Sequence, residues 1–208
     1  MARIARVVVP GLPHHVTQRG NRRQRTFFCK ADYAAYRTLL ATWCREHEVA
    51  VWAYCLMPNH VHLILVPSSA DGLRRALGEA HRRYTRGVNA RLGWVGHLWQ
   101  GRFASFPLDG EHPLAAVRYV ELNPVRAGLV AHAEAWPWGS ARAHLAGRDD
   151  GLVSVAPLLE AVGDWRTFLG EGLSEREQAL LPGGLRGLGG PVAVLGSDLA
   201  FEHRLRNG

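Results

Sequence analysis

The chain has 208 residues, of which 47% are hydrophobic, and a formal net charge of +7. This length suits one domain with an appendage or two small domains. Three cysteines without C-x-x-C spacing argue against a disulfide scaffold and a cysteine-rich zinc module, and no apolar run is long enough to cross a membrane. We therefore expect a cytoplasmic protein.

The charge is unevenly distributed along the chain. Residues 1–148 hold 20 Lys and Arg against 9 Asp and Glu, whereas residues 149–208 hold 5 against 9. The sequence therefore predicts a basic domain at 1–148 and an acidic C-terminal extension at 149–208. Nearly all the cations are arginine, which suits phosphate because its planar fork binds two oxygens at once. GC-rich coding also produces arginine, so composition alone leaves both explanations open.

Apolar periodicity and turn signals predict six elements in the basic part. They are a strand at 14–19, a helix at 31–47, strands at 49–56 and 60–66, a helix at 71–92 and a strand at 97–106. This βαββαβ order is typical of an α+β, ferredoxin-like sandwich, with an antiparallel sheet, helices on one face and the other face open for ligand. A third helix follows Pro113 and should end at Asn123-Pro124, because proline disfavours helix at the preceding residue.

The acidic extension contains weaker signals. Short helical pieces are predicted at 155–162, 164–169 and 174–181, and Ser174 with Glu177 fits a capping box. We expect this extension to be small and mostly helical or irregular.

Two histidines flank one apolar residue at the start of the 60–66 strand. Side chains alternate along a strand, so His60 and His62 point to the same face. Two imidazoles side by side on a rigid strand can hold a divalent metal and leave its other positions free. The alternative for this pair is a hydrogen-bonded role within the core.

The third helix carries a second candidate pair. Tyr119 and Asn123 are four residues apart, so they face the same direction. Tyrosine offers a hydroxyl nucleophile, and asparagine offers a carbonyl oxygen that can ligate a hard cation. If this helix packs beside the histidine strand, Asn123 completes a His-His-Asn metal site next to Tyr119. Taken singly, the tyrosine could be a core aromatic and the asparagine a helix terminator.

Basic residues cluster near the N-terminus. Residues 1–31 contain seven cations and no acid, and the 20–25 loop combines glycine with three arginines. Glycine permits close approach and arginines meet phosphates, so this loop is a candidate clamp for nucleic acid, with a solvated turn as the alternative. The candidate contact residues are Arg3, Arg6, Arg19, Asn21, Arg22, Arg23, Arg25 and Arg102. Trp52 and Trp99 are candidates for stacking on a base, with core packing as the alternative.

Four segments together resemble a known family. They are GLPHHVTQRGN at 11–21, MPNHVH at 57–62, WQGRF at 99–103 and YVELNPVRAGLV at 119–130. With their order and context, the chain resembles the HUH single-tyrosine transposases, in particular the REP-associated tyrosine transposases of bacteria. The resemblance covers about residues 3–145 and does not extend to the acidic end.

The resemblance implies a role for each candidate residue. His60 and His62 would be the HUH pair, Asn123 the third ligand of Mg²⁺ or Mn²⁺, and Tyr119 the nucleophile that forms a 5′-phosphotyrosine intermediate. The implied partner is single-stranded DNA beside hairpins formed by REP-like palindromes. The protein would act as a monomer or a homodimer, and the helix that carries Tyr119 would come from the same chain or from its partner.

Two other functions stay open at this point. The same sandwich could be a non-catalytic module that binds single-stranded nucleic acid, in which case no catalytic tyrosine is needed. It could also be a metal-dependent hydrolase that uses activated water, for which Tyr119 would be dispensable.

Overall fold

Four antiparallel strands form one sheet in the computed structural model, which describes residues 7–110 and 112–180. The strands are β1 His14–Arg19, β2 Val49–Met57, β3 His60–Pro67 and β4 Ala104–Pro107, arranged in the order β2-β3-β1-β4. Helix α1 (Lys30–Glu46) connects β1 to β2, and helix α2 (Gly72–Leu92) connects β3 to β4. The predicted α+β fold with βαββαβ order and an antiparallel sheet is confirmed.

Helices α1 and α2 pack together and against one face of the sheet. Arg37 of α1 lies over the ring of Tyr54, which is paired with Leu63 on the side of the sheet opposite to His62. Each helix buries one stripe at spacings of three and four: Tyr33, Tyr36, Leu40 and Cys44 in α1, and Leu73, Leu77, Tyr84 and Val88 in α2. Each such side chain stabilises the fold by about 1.5–3 kcal/mol when fully buried.

The predicted strand at 97–106 is wrong in its first part. Only Ala104–Pro107 forms β4, while Trp99 makes a single bridge to Gly20. Gly101 adopts a φ of 75°, which interrupts an extended run and which glycine reaches without steric cost. The signal for a strand came from the apolar side chains of 97–106, but these pack as an irregular segment.

The third predicted helix divides into two. Helix α3 covers His112–Glu121, and a short helix α4 follows at Asn123–Arg126. Pro124 has no N–H group to continue the α3 ladder, yet the first turn of a new helix needs none. The prediction of a helix end near Asn123-Pro124 therefore holds, but the restart was not predicted.

Helix α3 lies against the sheet face opposite to α1 and α2. Tyr119 of α3 approaches the rings of His15 and His62 edge-on. The face expected to be open for ligand is thus partly covered by α3. Since α3 follows β4 in the chain, this packing brings its side chains onto the histidine strand.

Four further helices follow: α5 Ala141–Leu145, α6 Ala156–Val162, α7 Trp165–Gly170 and α8 Glu175–Leu180. Helices α6, α7 and α8 agree with the three predicted helical pieces, whereas α5 was not predicted. The Ser174 and Glu177 capping box forms as expected. Residues from both sides of position 148 cover the outer edge of β2, where Ser154 N–H donates to Val51 and Ser140 N–H to Tyr54. The division into a 1–148 domain and a 149–208 extension stays a prediction.

Two of the predicted nucleic-acid contacts, Arg3 and Arg6, lie outside the described residues, as does the chain after residue 180. Within the part that the structure describes, every helix is too short or too polar to cross a membrane.

Candidate active site

His60 and His62 lie side by side on β3, in the middle of the sheet. Their ring centroids are 4.9 Å apart, and both side chains are buried. The Nε2 atom of each has no hydrogen-bond partner. Buried polar atoms are nearly always paired, so two unpaired nitrogens on neighbouring rings indicate a site for a ligand.

Asn59 holds the ring of His60. Its Oδ1 atom lies 2.6 Å from His60 Nδ1, and its Nδ2 donates to the carbonyl of Arg23 at 3.1 Å. An amide oxygen can only accept, so Nδ1 of His60 carries the proton and Nε2 presents its lone pair. Asn59 thus connects the basic loop to the histidine pair. Sequence reasoning placed it only within the MPNHVH segment and gave it no role.

Sequence reasoning also missed a third histidine. His15 of β1 is opposite Ile64, which places it diagonally beside His62 on the same face. His15 Nε2 and His62 Nδ1 are 3.0 Å apart, and the two rings are parallel with centroids 5.2 Å apart. Alternation along β1 predicts which face His15 occupies, but only the register between β1 and β3 reveals its partner.

Tyr119 and Asn123 meet the histidines within one chain. The Tyr119 ring centroid lies 5.5 Å from that of His62, and Tyr119 is 2% exposed. Asn123 is also buried. It is the first residue of α4, and its side chain hydrogen-bonds Tyr119. The structure therefore brings together all four residues that the sequence singled out for catalysis and metal binding.

Two arginines near Tyr119 differ in position. Arg126 lies over the Tyr119 ring, with its guanidinium carbon 4.7 Å from the centroid. Arg118 turns the other way, where it pairs with Glu171 at 2.8 Å and Glu177 at 2.6 Å. Of these two arginines, Arg126 is therefore the one that acts on Tyr119.

Burial raises the pKa of the Tyr119 hydroxyl. The charge of Arg126, hydrogen bonds from Asn123 and Arg126, and the more distant charge of Arg19 all act in the opposite direction. These groups favour the ionised phenol, which is the nucleophilic form, against the cost of removing it from water.

The histidines are held neutral. Burial lowers the pKa of His15 to about 3, and burial together with the charge of Arg19 lowers that of His60 to about 3. Burial, assisted by His60, His15, Arg19 and Arg126, lowers the pKa of His62 well below its usual value. Neutral imidazole is the form that ligates metals, so both side chains are in the ligating charge state at neutral pH.

The residues fit a divalent metal. His60 and His62 each have an unpaired Nε2, and Asn123 hydrogen-bonds Tyr119, whose ring contacts His62. Among the described residues, no three His, Cys, Asp or Glu side chains are grouped as a metal site, so the Asn123 amide is the candidate for a third protein ligand. Three protein ligands would leave positions for phosphate oxygens.

The basic loop forms a tight turn at the end of the sheet where His60 lies. Asn21–Arg23 is a 3₁₀ turn, and a Cβ on Gly20 would lie 2.2 Å from the carbonyl oxygen of Gln24, so only glycine fits there. Arg22, Arg23 and Arg102 are exposed, and Arg19, Asn21 and Arg25 are partly exposed. The described residues of the predicted set are thus accessible to a polyanion.

Of the two predicted stacking tryptophans, Trp99 is 7% exposed and packs among Tyr36, His81 and Tyr84. Trp52 is half-buried against the core. Sequence reasoning missed Trp94, which is 43% exposed beside Phe28, next to the 98% exposed Val95. Trp94 follows Gly93, the glycine that ends α2, and a residue just after a helix end is often exposed. This position was the signal in the sequence that could have identified Trp94.

A family model described as "Transposase IS200 like" matches residues 8–123, which is more than half of the chain. The matched segment extends from before β1 to Asn123. It therefore contains the histidine pair, the basic loop and Tyr119.

Two curated proteins are similar in sequence. A candidate REP-associated tyrosine transposase of Haemophilus influenzae is 25% identical over an alignment of 116 residues, which covers 50% of this chain and 66% of that protein. A REP-associated tyrosine transposase of Escherichia coli K12 is 22% identical over 120 residues, 57% of this chain and 70% of that protein. The chain thus spans slightly less than two thirds of the Haemophilus protein.

One solved structure has the same fold. It is a REP-associated tyrosine transposase bound to a REP hairpin, with a TM-score of 0.61 and 22% sequence identity. The similarity covers 74% of this chain and 92% of the other.

Proposed function

Because this chain belongs to the IS200-like transposase family, we propose that it cleaves and rejoins single-stranded DNA beside hairpins, with Tyr119 as the nucleophile. The observation that carries the proposal is the buried contact between the Tyr119 ring and the His60–His62 pair. A module that only binds nucleic acid needs no such combination. The expected DNA is a palindrome that folds into a hairpin, as in the REP-bound relative.

His60, His62 and Asn123 would hold the metal, Mg²⁺ or Mn²⁺. When bound, such an ion supplies positive charge to the non-bridging oxygens of the phosphate. The protein's part is to fix the two imidazoles on a central strand and to keep them neutral. Burial of the two side chains restricts their movement and keeps the imidazoles neutral.

Tyr119 would perform a transesterification. Its phenolic oxygen forms a bond to phosphorus, and the bond from phosphorus to the 3′ oxygen breaks. The phenol loses one proton and the leaving 3′ oxygen gains one, so the step is neutral in protons. The phosphodiester energy is kept in the tyrosine–phosphate bond, so attack by a 3′-hydroxyl of another strand reverses the step and joins DNA without ATP.

Arg126 would guide the phosphate to Tyr119. It is exposed, whereas the tyrosine beneath it is buried. A phosphate drawn to this guanidinium arrives above the phenol, and arginine binds phosphate oxygens in a bidentate manner. The same charge favours the phenolate before attack.

The DNA would approach along the basic turn at 19–25 and Arg102. Arg22 and Arg23 are exposed there, and Asn59 connects the turn to His60. Trp94 replaces Trp99 as the candidate for stacking on an unpaired base, because Trp99 is buried.

The test is a covalent adduct. Single-stranded DNA carrying a hairpin is incubated with the protein and Mn²⁺, and denaturing gels are examined for a protein–DNA species. We expect an adduct in the wild type that is absent in Tyr119→Phe, in His62→Ala and with chelator. Cleavage that survives Tyr119→Phe would instead establish the hydrolase, and binding without any cleavage would establish the non-catalytic module.

A further inference from the structure

His15 is a buried histidine that the mechanism above does not use. It lies on β1, its neighbour His62 lies on β3, and both side chains are fully buried. His15 Nε2 is 3.0 Å from His62 Nδ1, while His15 Nδ1 and His62 Nε2 have no hydrogen-bond partner. The contact therefore joins one nitrogen of each ring and leaves the other nitrogen of each ring unpaired.

Two proton arrangements are compatible with this contact. A neutral imidazole has one N–H and one lone pair, so one ring donates and the other accepts. If His62 Nδ1 donates, the lone pair of His62 is on Nε2 and is directed towards the candidate metal site. If His15 Nε2 donates, His62 carries a proton on Nε2 and no metal can bind there. Each arrangement leaves one buried N–H without an acceptor, on His15 Nδ1 in the first and on His62 Nε2 in the second, so a metal at His62 is what favours the first.

We infer that His15 is a positioning residue that accepts the Nδ1 proton of His62 and so presents the lone pair of His62 Nε2 to the metal. The inference rests on the proposed function, since it assumes a metal at His60 and His62. Asn59 does the same for His60 through its Oδ1 atom. Each proposed histidine ligand therefore has its own acceptor behind the ring, the arrangement that orients metal-bound imidazoles in proteins.

The orientation of the rings suits this hydrogen bond. The His15 and His62 planes differ by only 2° and the centroids are 5.2 Å apart, so the rings meet edge to edge and the N–H of one lies along the lone pair of the other. His15 also meets Tyr119 edge-on, with centroids 6.2 Å apart. His15 thus fixes the orientation of the His62 ring and contacts Tyr119, although His15 is not itself one of the proposed metal ligands.

The test measures Mn²⁺ affinity on metal-free protein, by calorimetry or by the loss of the free-ion paramagnetic resonance signal. His15→Leu removes the acceptor while keeping an apolar side chain of similar size, and His15→Gln keeps an acceptor at the end of a flexible chain. We expect His15→Leu to weaken Mn²⁺ binding about 10–100-fold and His15→Gln to restore most of the loss. Thermal melting of each variant checks folding.

Two controls separate this inference from the proposed function. His14→Leu changes the adjacent histidine, which is also buried but bonds Leu12 and Val9 instead, and it should leave Mn²⁺ affinity unchanged. His62→Ala should abolish binding. If His62→Ala binds like the wild type, the metal site itself is wrong. If His62→Ala loses Mn²⁺ binding but His15→Leu binds Mn²⁺ like the wild type, His15 does not act as an acceptor. The same conclusion follows if His15→Gln and His15→Leu lose equal Mn²⁺ affinity.

Discussion

The guanidinium of Arg126 lies 4.7 Å above the centre of the Tyr119 ring, seven residues further along the chain. Helix α3 ends between the two residues and α4 begins at Asn123, so this contact joins the two short helices.

We predict that Arg126→Gln slows DNA cleavage by roughly 100-fold, the usual effect of losing one charge-stabilising group. Without this cation the pKa of Tyr119 rises further, because Arg126 is the main influence that opposes burial. The ascending limb of the rate profile, where the phenol ionises, should therefore move to higher pH. Single-turnover cleavage across pH 6–10 measures both effects. Arg126→Lys, which keeps the charge, should lie between wild type and Arg126→Gln, and a rate for Arg126→Gln equal to the wild type would refute the role.

Much of the fold was predictable because it depends on local patterns. Strand β1 has the predicted bounds, α1 differs from the prediction by one residue at each end, and the histidine strand is one residue longer. The resemblance to the single-tyrosine transposases is confirmed by the family match. The failures lie where single residues overrule a pattern, at Gly101 in the expected final strand and at Pro124, where a further short helix begins that was not predicted.

The candidate site was predictable only in part. Alternation gives the shared face of His60 and His62, and helical spacing gives that of Tyr119 and Asn123. Neither rule says that α3 lies on β3, nor that His15 meets His62, since both depend on long-range packing and register. The choice between Arg118 and Arg126 likewise needed the glutamates of the C-terminal helices, which bind Arg118.

The basic turn should dominate the salt dependence of DNA binding. Each phosphate contact on a single strand contributes about 0.7 to the slope of log affinity against log salt. We predict that the double variant Arg22→Gln, Arg23→Gln lowers the slope by about 1.4 and weakens binding to all sequences alike. Fluorescence anisotropy with labelled hairpin DNA between 50 and 300 mM salt measures this.

A control with the same change in charge is available at the other end of the sheet. Arg74 and Arg75 lie at the start of α2, after the end of β3, and pair with Asp71. The double variant Arg74→Gln, Arg75→Gln should leave the slope nearly unchanged. If both double variants behave alike, net charge rather than the turn governs binding.

Trp94 should contribute to affinity for unpaired bases. Stacking of one base on an aromatic ring is worth about 1–3 kcal/mol, so Trp94→Ala should weaken binding to single-stranded flanks roughly tenfold or more. Trp94→Phe should retain most of the affinity, because phenylalanine also offers a flat ring. Equal affinity of Trp94→Ala and the wild type in the same anisotropy assay would remove this residue from the DNA surface.

Acid should destabilise the fold through its buried histidines. Burial lowers the pKa of His81 to about 3, and its Nε2 lies 2.9 Å from the hydroxyl of Tyr36. Between pH 6.5 and about 3 the unfolded chain takes up a proton that the folded chain refuses, so stability is complete above pH 6.5 and falls as pH decreases. Each such group contributes at most about 1.4 kcal/mol per pH unit.

Urea unfolding at pH 7.0, 5.5 and 4.5 measures this slope. His15 and His60 have equally low pKa values, so the free energy of unfolding of the wild type should fall faster with decreasing pH than one histidine alone would cause. In His81→Gln, the pH slope of the free energy of unfolding should be smaller than in the wild type by the contribution of about one titrating group. We expect this variant to be less stable than the wild type at pH 7. An unchanged slope in His81→Gln would show that this histidine does not titrate on unfolding.

Glu121 should anchor α3 to the C-terminal helices. Its fully buried carboxylate accepts from Ser140 Oγ at 2.5 Å, His144 Nδ1 at 2.7 Å and Trp165 Nε1 at 2.8 Å. Glu121 lies two residues after Tyr119, so these bonds fix the part of α3 that presents the nucleophile. Glu121→Gln turns one acceptor oxygen into a donor and leaves at least one buried donor unpaired, at about 1–3 kcal/mol for each.

We therefore expect Glu121→Gln to lower the free energy of unfolding by about 3 kcal/mol, with urea denaturation as the measurement. Trp165→Phe, which loses one of the three donors but keeps a ring against His144, should cost less. Glu134→Gln is the surface control, because its pair with Arg166 is exposed and worth at most about 1 kcal/mol. If Glu121→Gln is no less stable than Glu134→Gln, then this carboxylate does not hold α3 in place, and the C-terminal helices must be attached mainly by their apolar contacts.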